Sequence, residues 1–188
     1  MKMNVLAVIA ASGLVSVASA DVLLSIDLSV TDQITITATD GLSAASATAS
    51  NFTGYLMADF FNDAAATPAD TSVSGDLSTA ANASDASADI FSGGTSFGFN
   101  VWSFSSDSDV SVTAGEIAFA GSTTWTVDAI DYADMLAGNT SGDIYFGADT
   151  DDDIAGGATF IGTWNVVPAP SSLALIGLGG LVAGRRRR

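Results

Sequence analysis

The chain has 188 residues, of which 21 are acidic and five basic, with no His and no Cys. All five basic residues lie at the ends, as Lys2 and Arg185 to Arg188, so setting the ends aside takes the formal charge from −16 to −21. A body without Lys or Arg excludes nucleic acid as a partner, and the lack of His, Cys and body Lys excludes triad, thiol and Schiff-base catalysis, disulfide stapling and a conventional zinc site.

Residues 1–20, MKMNVLAVIAASGLVSVASA, combine one charge, an apolar stretch from Val5 to Val17 and small residues Ala18 and Ala20 around Ser19. This is the pattern of a secretory signal peptide cut after Ala20, which makes Asp21 the mature start and signal peptidase and the secretion machinery the first partners. The rival reading, an uncleaved anchor, needs about 20 apolar residues, and this stretch is shorter.

Residues 21–167 read as one domain. Its acidic residues are Asp apart from Glu116; Asp favours turns and caps where Glu favours helices. Alternating apolar residues predict strands over DVLLSIDLSV and QITITAT, hinged at Thr31-Asp32. GLSAASATASN reads as a loop or weak edge, and GYLMADFF as a third strand through Tyr55, Met57 and Phe60. From Asn62 to Asp89 the small polar composition predicts a long surface connection. TSFGFNVWSF, with Phe97, Phe99, Val101 and Phe104 on one face and Trp102 on the other, is the expected central strand. DVSVTAGEIAFAG predicts a hairpin about Thr113-Ala114-Gly115, and TTWTVDAI a strand through Trp125 and Val127. Ile130, Ala133, Met135 and Leu136 have helical spacing up to Gly138. DIYFGA and ATFIGTWNVV close the domain as strands. Eight to ten short strands predict an all-β ectodomain, an antiparallel sandwich or jelly roll.

Three constellations within the body could carry function. Asp149, Asp151 and Asp153 alternate in what reads as a loop, and calcium takes six to eight such oxygens, so calcium is the one ligand ion the sequence suggests. The run is not an EF-hand, with Ile154 at the sixth position and Phe160 at the twelfth; a solvated acidic turn is the plain alternative, and Asp107-Ser108-Asp109 is a weaker instance. Trp102, Trp125, Trp164, Tyr55, Tyr132 and Tyr145 would form a sugar-stacking platform if exposed, but strand aromatics usually pack into cores. Paired carboxylates for glycoside hydrolysis are not singled out by any spacing, so no catalytic residue is assigned and no enzyme is expected.

The C-terminus reads VVPAPSSLALIGLGGLVAGRRRR. Pro168 and Pro170 end the last strand. Leu173 to Gly184 is apolar, and Arg185, Arg186, Arg187 and Arg188 after it obey the positive-inside rule, with the body outside and the tail in the cytoplasm. Pro168-Ala169-Pro170, the Gly177-Leu178-Gly179-Gly180 core and the Arg tail, in that order at the extreme end, resemble the PEP-CTERM sorting signal of bacterial exosortase substrates, with Ala169 where the usual motif has Glu. Over residues 168–188 the resemblance implies transient anchoring in the inner membrane, cleavage near Pro-x-Pro by an exosortase-like enzyme, and delivery to the cell surface or matrix beside exopolysaccharide. An ordinary tail anchor is the alternative for this segment. For the body, the leading expectation is a non-enzymatic surface or matrix protein, structural or adhesive, with calcium as an optional ligand. A carbohydrate-binding module or glycan hydrolase is the runner-up, and simple adaptation to a saline habitat a third reading of the acidity.

Overall fold

Short runs of β-branched and aromatic residues set off by Gly, Asp and Ser fold as strands almost throughout the computed structural model, which describes residues 20–63, 71–83, 88–92, 96–102 and 109–167. In chain order these are β1 (Val22–Asp27), β2 (Gln33–Ala38), β3 (Ala47–Ala49), β4 (Tyr55–Met57), β5 (Thr71–Gly75) and β6 (Ser78–Thr79), then a 3-10 turn at Ala80–Asn82. There follow β7 (Asp89–Phe91), β8 (Phe99–Trp102), β9 (Val110–Val112), β10 (Phe119–Ala120) and β11 (Ser122–Thr126). Helix α1 (Ala129–Ala137), β12 (Ser141–Phe146), helix α2 (Asp151–Gly156) and β13 (Thr159–Val166) complete the described domain.

The domain is all-β, as expected, but its main element is one curled sheet in the order β5-β11-β2-β1-β13-β12-β4-β8-β7. The curl brings the outermost strands, β5 and β7, within 8 Å of each other between Cα atoms. Trp125 of β11 ties one limb to the other, its indole N–H donating to Ala88 O at 3.0 Å beside β7. Two small sheets, β6 with β10 and β3 with β9, join the same core: the Phe119 ring of β10 lies tilted 4.7 Å from Tyr55 of β4.

The expected antiparallel pairing fails at one place. β1 and β13 run parallel, Leu24 opposite Trp164 and Ile26 opposite Val166. Both therefore start at one end of the sheet, here the entry end, and finish at the other, the exit end. α2 leads into β13 at the entry end; α1 leads into β12, which is antiparallel to β13, at the exit end.

Several local expectations are also corrected. Leu23 and Leu24 are both buried, because the register shifts between Val22 and Leu24 and breaks the period of two. The Asn62–Asp89 stretch contains β5, β6 and the fully buried Leu77, so backbone pairing overrides its small polar composition. β8 lies next to the edge strand β7 instead of at the centre, and Phe104 is outside the described residues. β9 and β10 do not form a hairpin: Gly115 N donates to Ser43 O at 2.8 Å and Ala118 N to Gly41 O at 3.2 Å, and this pairing leads β10 to β6 while β9 joins β3.

α1 begins where Asp128 caps it, its carboxylate accepting from Ile130 N at 2.8 Å and Asp131 N at 2.9 Å. It buries Asp131 and Met135 and leaves Ile130, Ala133 and Leu136 exposed. Among the described residues no helix is long and apolar enough to cross a membrane. The signal-peptide core and the residues assigned to sorting, Pro168, Pro170 and Arg185 to Arg188, lie outside the described residues.

Candidate functional site

At the entry end, four separate segments meet around Asn100 of β8. Its side chain is buried, and its Nδ2 donates to Thr53 O at 2.9 Å, Tyr55 O at 3.0 Å and Ala148 O at 3.1 Å. One amide thus fixes the turn before β4, the start of β4 and the segment after β12. The turn can lie this close because Gly54, at φ +60°, has no Cβ; one built there would stand 2.0 Å from Val101 O.

Asn100 forms the floor of a cleft of about 310 Å³ whose other described walls are Phe52, Phe91, Trp102 and Asp149. Phe52 is 65% exposed and Phe91 40%, while Trp102 is half-buried. The Trp102 indole N–H is buried and finds no acceptor among the described residues. Three aromatic rings beside one carboxyl group, itself hydrogen-bonded to Asp153, suit the C–H faces of a sugar. Of the other aromatics named from sequence, Trp125, Trp164 and Tyr55 are fully buried in the core, Tyr132 packs against it, and Tyr145 is half-buried outside it; Trp164 donates to Ala58 O at 3.2 Å.

The alternating carboxylates do not stand in a loop. Asp151 and Asp153 belong to α2, which starts at Thr150 and stops at Gly157, where φ is +106°. Asp153 reaches back to cap its own helix, accepting from Asp149 N at 3.0 Å and Thr150 N at 3.3 Å. Asp151 accepts from Phe97 N at 2.6 Å, and Asp149 faces the cleft. Among the described residues no three metal-binding side chains gather.

The carboxyls of Asp149 and Asp153 are shifted in opposite directions. The hydrogen bond to Asp153, then partial burial and the neighbouring charge, hold Asp149 above its ordinary value of 3.8. The Asp149 backbone N–H, donating to Asp153, holds that carboxyl below the ordinary value. Asp153 therefore contributes stability above the ordinary aspartate range, and that contribution is lost as pH falls through its depressed pKa; Asp149 acts oppositely, favouring the fold while protonated and losing that contribution as pH rises through its raised value. Replacing Asp153 with Ala removes the cap and should cost about 1 kcal/mol at neutral pH, measured by chemical denaturation. In the same variant, NMR titration of the carboxyl carbons should show Asp149 moving back toward its ordinary pKa.

Sequence reasoning missed Phe52, Phe91 and Asn100. The Ile90-Phe91 alternation in β7, one side chain buried and the next exposed, was a usable signal for Phe91. Nothing local marked Asn100, whose three acceptors come from turns and strands far along the chain.

Together the fold and the sequence define an all-β, polyanionic domain placed ahead of a C-terminal sorting segment. The segment is identified by comparison: residues 166–188 match the PEP-CTERM protein-sorting motif. That motif implies secretion, passage through a membrane-anchored stage, processing by an exosortase-type enzyme, and a final place outside the cell or on its surface. The match begins at Val166, the last residue of β13. No curated protein and no solved structure matches the chain.

Proposed function

We propose that this chain is a non-enzymatic surface or matrix protein that adheres to neutral glycan through the cleft of Phe52, Phe91, Trp102 and Asp149. The observation that supports it most directly is the exposure of two of these phenyl rings beside a carboxylate at the entry end, the end opposite to the sorting segment and hence turned away from the membrane during sorting. A body of formal charge −21, the whole-chain −16 without its five terminal bases, repels acidic polysaccharide and leaves uncharged chains as the better ligand. Hydrolysis is the weaker reading, because glycosidases place two carboxyls about 5–9.5 Å apart across the bond. Among the described residues, the cleft wall offers Asp149 alone.

Affinity electrophoresis through gels containing neutral or acidic polysaccharide tests this. The neutral polymer should retard the protein and remain uncut, as followed by reducing-end assay. Phe52→Ala and Phe91→Ala should each weaken retardation by about 2–13-fold, the worth of one aromatic contact at about 0.5–1.5 kcal/mol. Both rings are exposed, so unfolding midpoints should hardly move. Equal mobility in every gel, or alanine variants that bind like the parent, would remove the adhesive assignment.

A further inference from the structure

β13 is bonded into the sheet to its last residue and just beyond: Val166 N donates to Thr140 O at 2.8 Å and Val167 N to Ile26 O at 2.7 Å. The chain therefore leaves the domain at the exit end. Residues 168–172 separate Val167 from the apolar run that opens at Leu173, and so short a segment reaches at most about 20 Å. Whatever membrane holds residues 173–184 is thus close to this end of the domain.

α1 lies across that end. Tyr132 Oη donates to Leu28 O at 2.6 Å, Asn139 N donates to Phe60 O at 3.0 Å, and the helix enters directly from β11. A surface helix ordinarily turns its apolar side inward, but here Met135 and Asp131 go in while Ile130 is 75% and Leu136 57% exposed. Val30 and Val167, also exposed, stand at the same end.

We propose that this apolar end rests on the bilayer interface while the precursor is anchored, with Ile130 and Leu136 entering the headgroup region. The inference relies on residues 166–188 acting as a membrane-held sorting segment. The tether favours the bilayer over a second copy of the chain as the cover, since it presents lipid to every molecule at high effective concentration whatever the amount of protein. Charge sets the limit on the contact. Asp27, Asp32, Asp128 and Asp134 lie at or beside this end, and the body has no basic residue to meet anionic headgroups. The contact therefore holds only through the tether. Cutting the chain beyond Val167 leaves an acidic domain that the anionic surface repels, so processing and release are one event.

The absence of cysteine makes the test clean. Single variants Ile130→Cys, Leu136→Cys and, in the exposed turn at the entry end, Ala114→Cys carry a nitroxide label on the chain from Asp21 to Arg188. The chains are reconstituted into vesicles of zwitterionic lipid with a minor anionic fraction. Power saturation should show the labels at 130 and 136 several-fold more accessible to oxygen than to a water-soluble nickel chelate, and the label at 114 the reverse. Cutting at a protease site inserted between Val167 and Pro168 should return the first two labels to water and put the domain in the supernatant. Chains that float with the vesicles but carry aqueous labels at 130 and 136, or labels that stay in lipid after the cut, overturn the inference while leaving the anchor intact. Chains that do not float at all defeat the anchor reading, and this inference falls with it.

Discussion

Trp164→Ala should leave the domain unfolded or close to it. Trp164 sits in β13, between β1 and β12 in the middle of the nine-stranded sheet, and is fully buried. Its ring packs 5.1 Å from Phe60, its N–H is bonded to Ala58 O, and Gly142 in the adjacent strand leaves it room, since a Cβ there would stand 2.8 Å from its indole nitrogen. Truncating a packed Trp costs about 3–5 kcal/mol, out of about 5–15 kcal/mol for a whole domain. This domain also carries an uncompensated charge near −21 once the terminal bases are set aside from the whole-chain −16, which opposes compaction. Near-UV circular dichroism and denaturant titration would show the loss, with sodium chloride recovering part of it by screening. A variant as stable as its parent would mean that β13 is not the centre of the fold. Trp125 is the comparison to run beside it: it is equally buried, but it bonds across the curl to Ala88 O, so losing it should loosen the closure between β5 and β7 as well as the core.

How much of this was legible depended on how local the cause was. β1, β2, β11, β12 and β13 were readable, because alternation is a property of neighbouring residues. Their order in space was not. The parallel partner of Val22 is Thr163, and no pattern within either strand encodes that distance. The helix at Asp151 had its signals in view, Thr150 three residues before Asp153 and Gly157 after it, yet the alternation of carboxylates read as a loop, where Asp153 in fact caps the helix. In α1 the helical spacing was right, but spacing alone did not tell which side would be buried. Asp131 and Met135 took the inward positions, with Tyr132 packed partly against the core and bonded to Leu28 O, leaving Ile130 and Leu136 outside. The cleft was least legible of all. Its five described walls come from the turn before β4, from β7, from β8 and from the segment after β12, and exposure of Phe52 follows from the fold of all four.

Replacing Arg185, Arg186, Arg187 and Arg188 together with Ser should release uncut precursor from the membrane. The apolar run 173–184 would span only roughly 18 Å as a helix, against a hydrocarbon core about 30 Å thick. Such a segment is held weakly by burial alone. What stops it from following the body outward is the cost of drawing four guanidinium groups through lipid, about 2.5–3.5 kcal/mol each on the insertion scale. Serine removes nearly all of that barrier and leaves the apolar length unchanged. Immunoblots of membrane and extracellular fractions should therefore show full-length chain leaving the membrane unprocessed. Replacing the same four residues with Lys keeps the charge, so retention and cutting should persist. If the Lys variant is retained but never cut, the processing enzyme reads the guanidinium itself. Normal processing of the Ser variant would instead place the stop elsewhere, and the tail would lose the role its charge suggests.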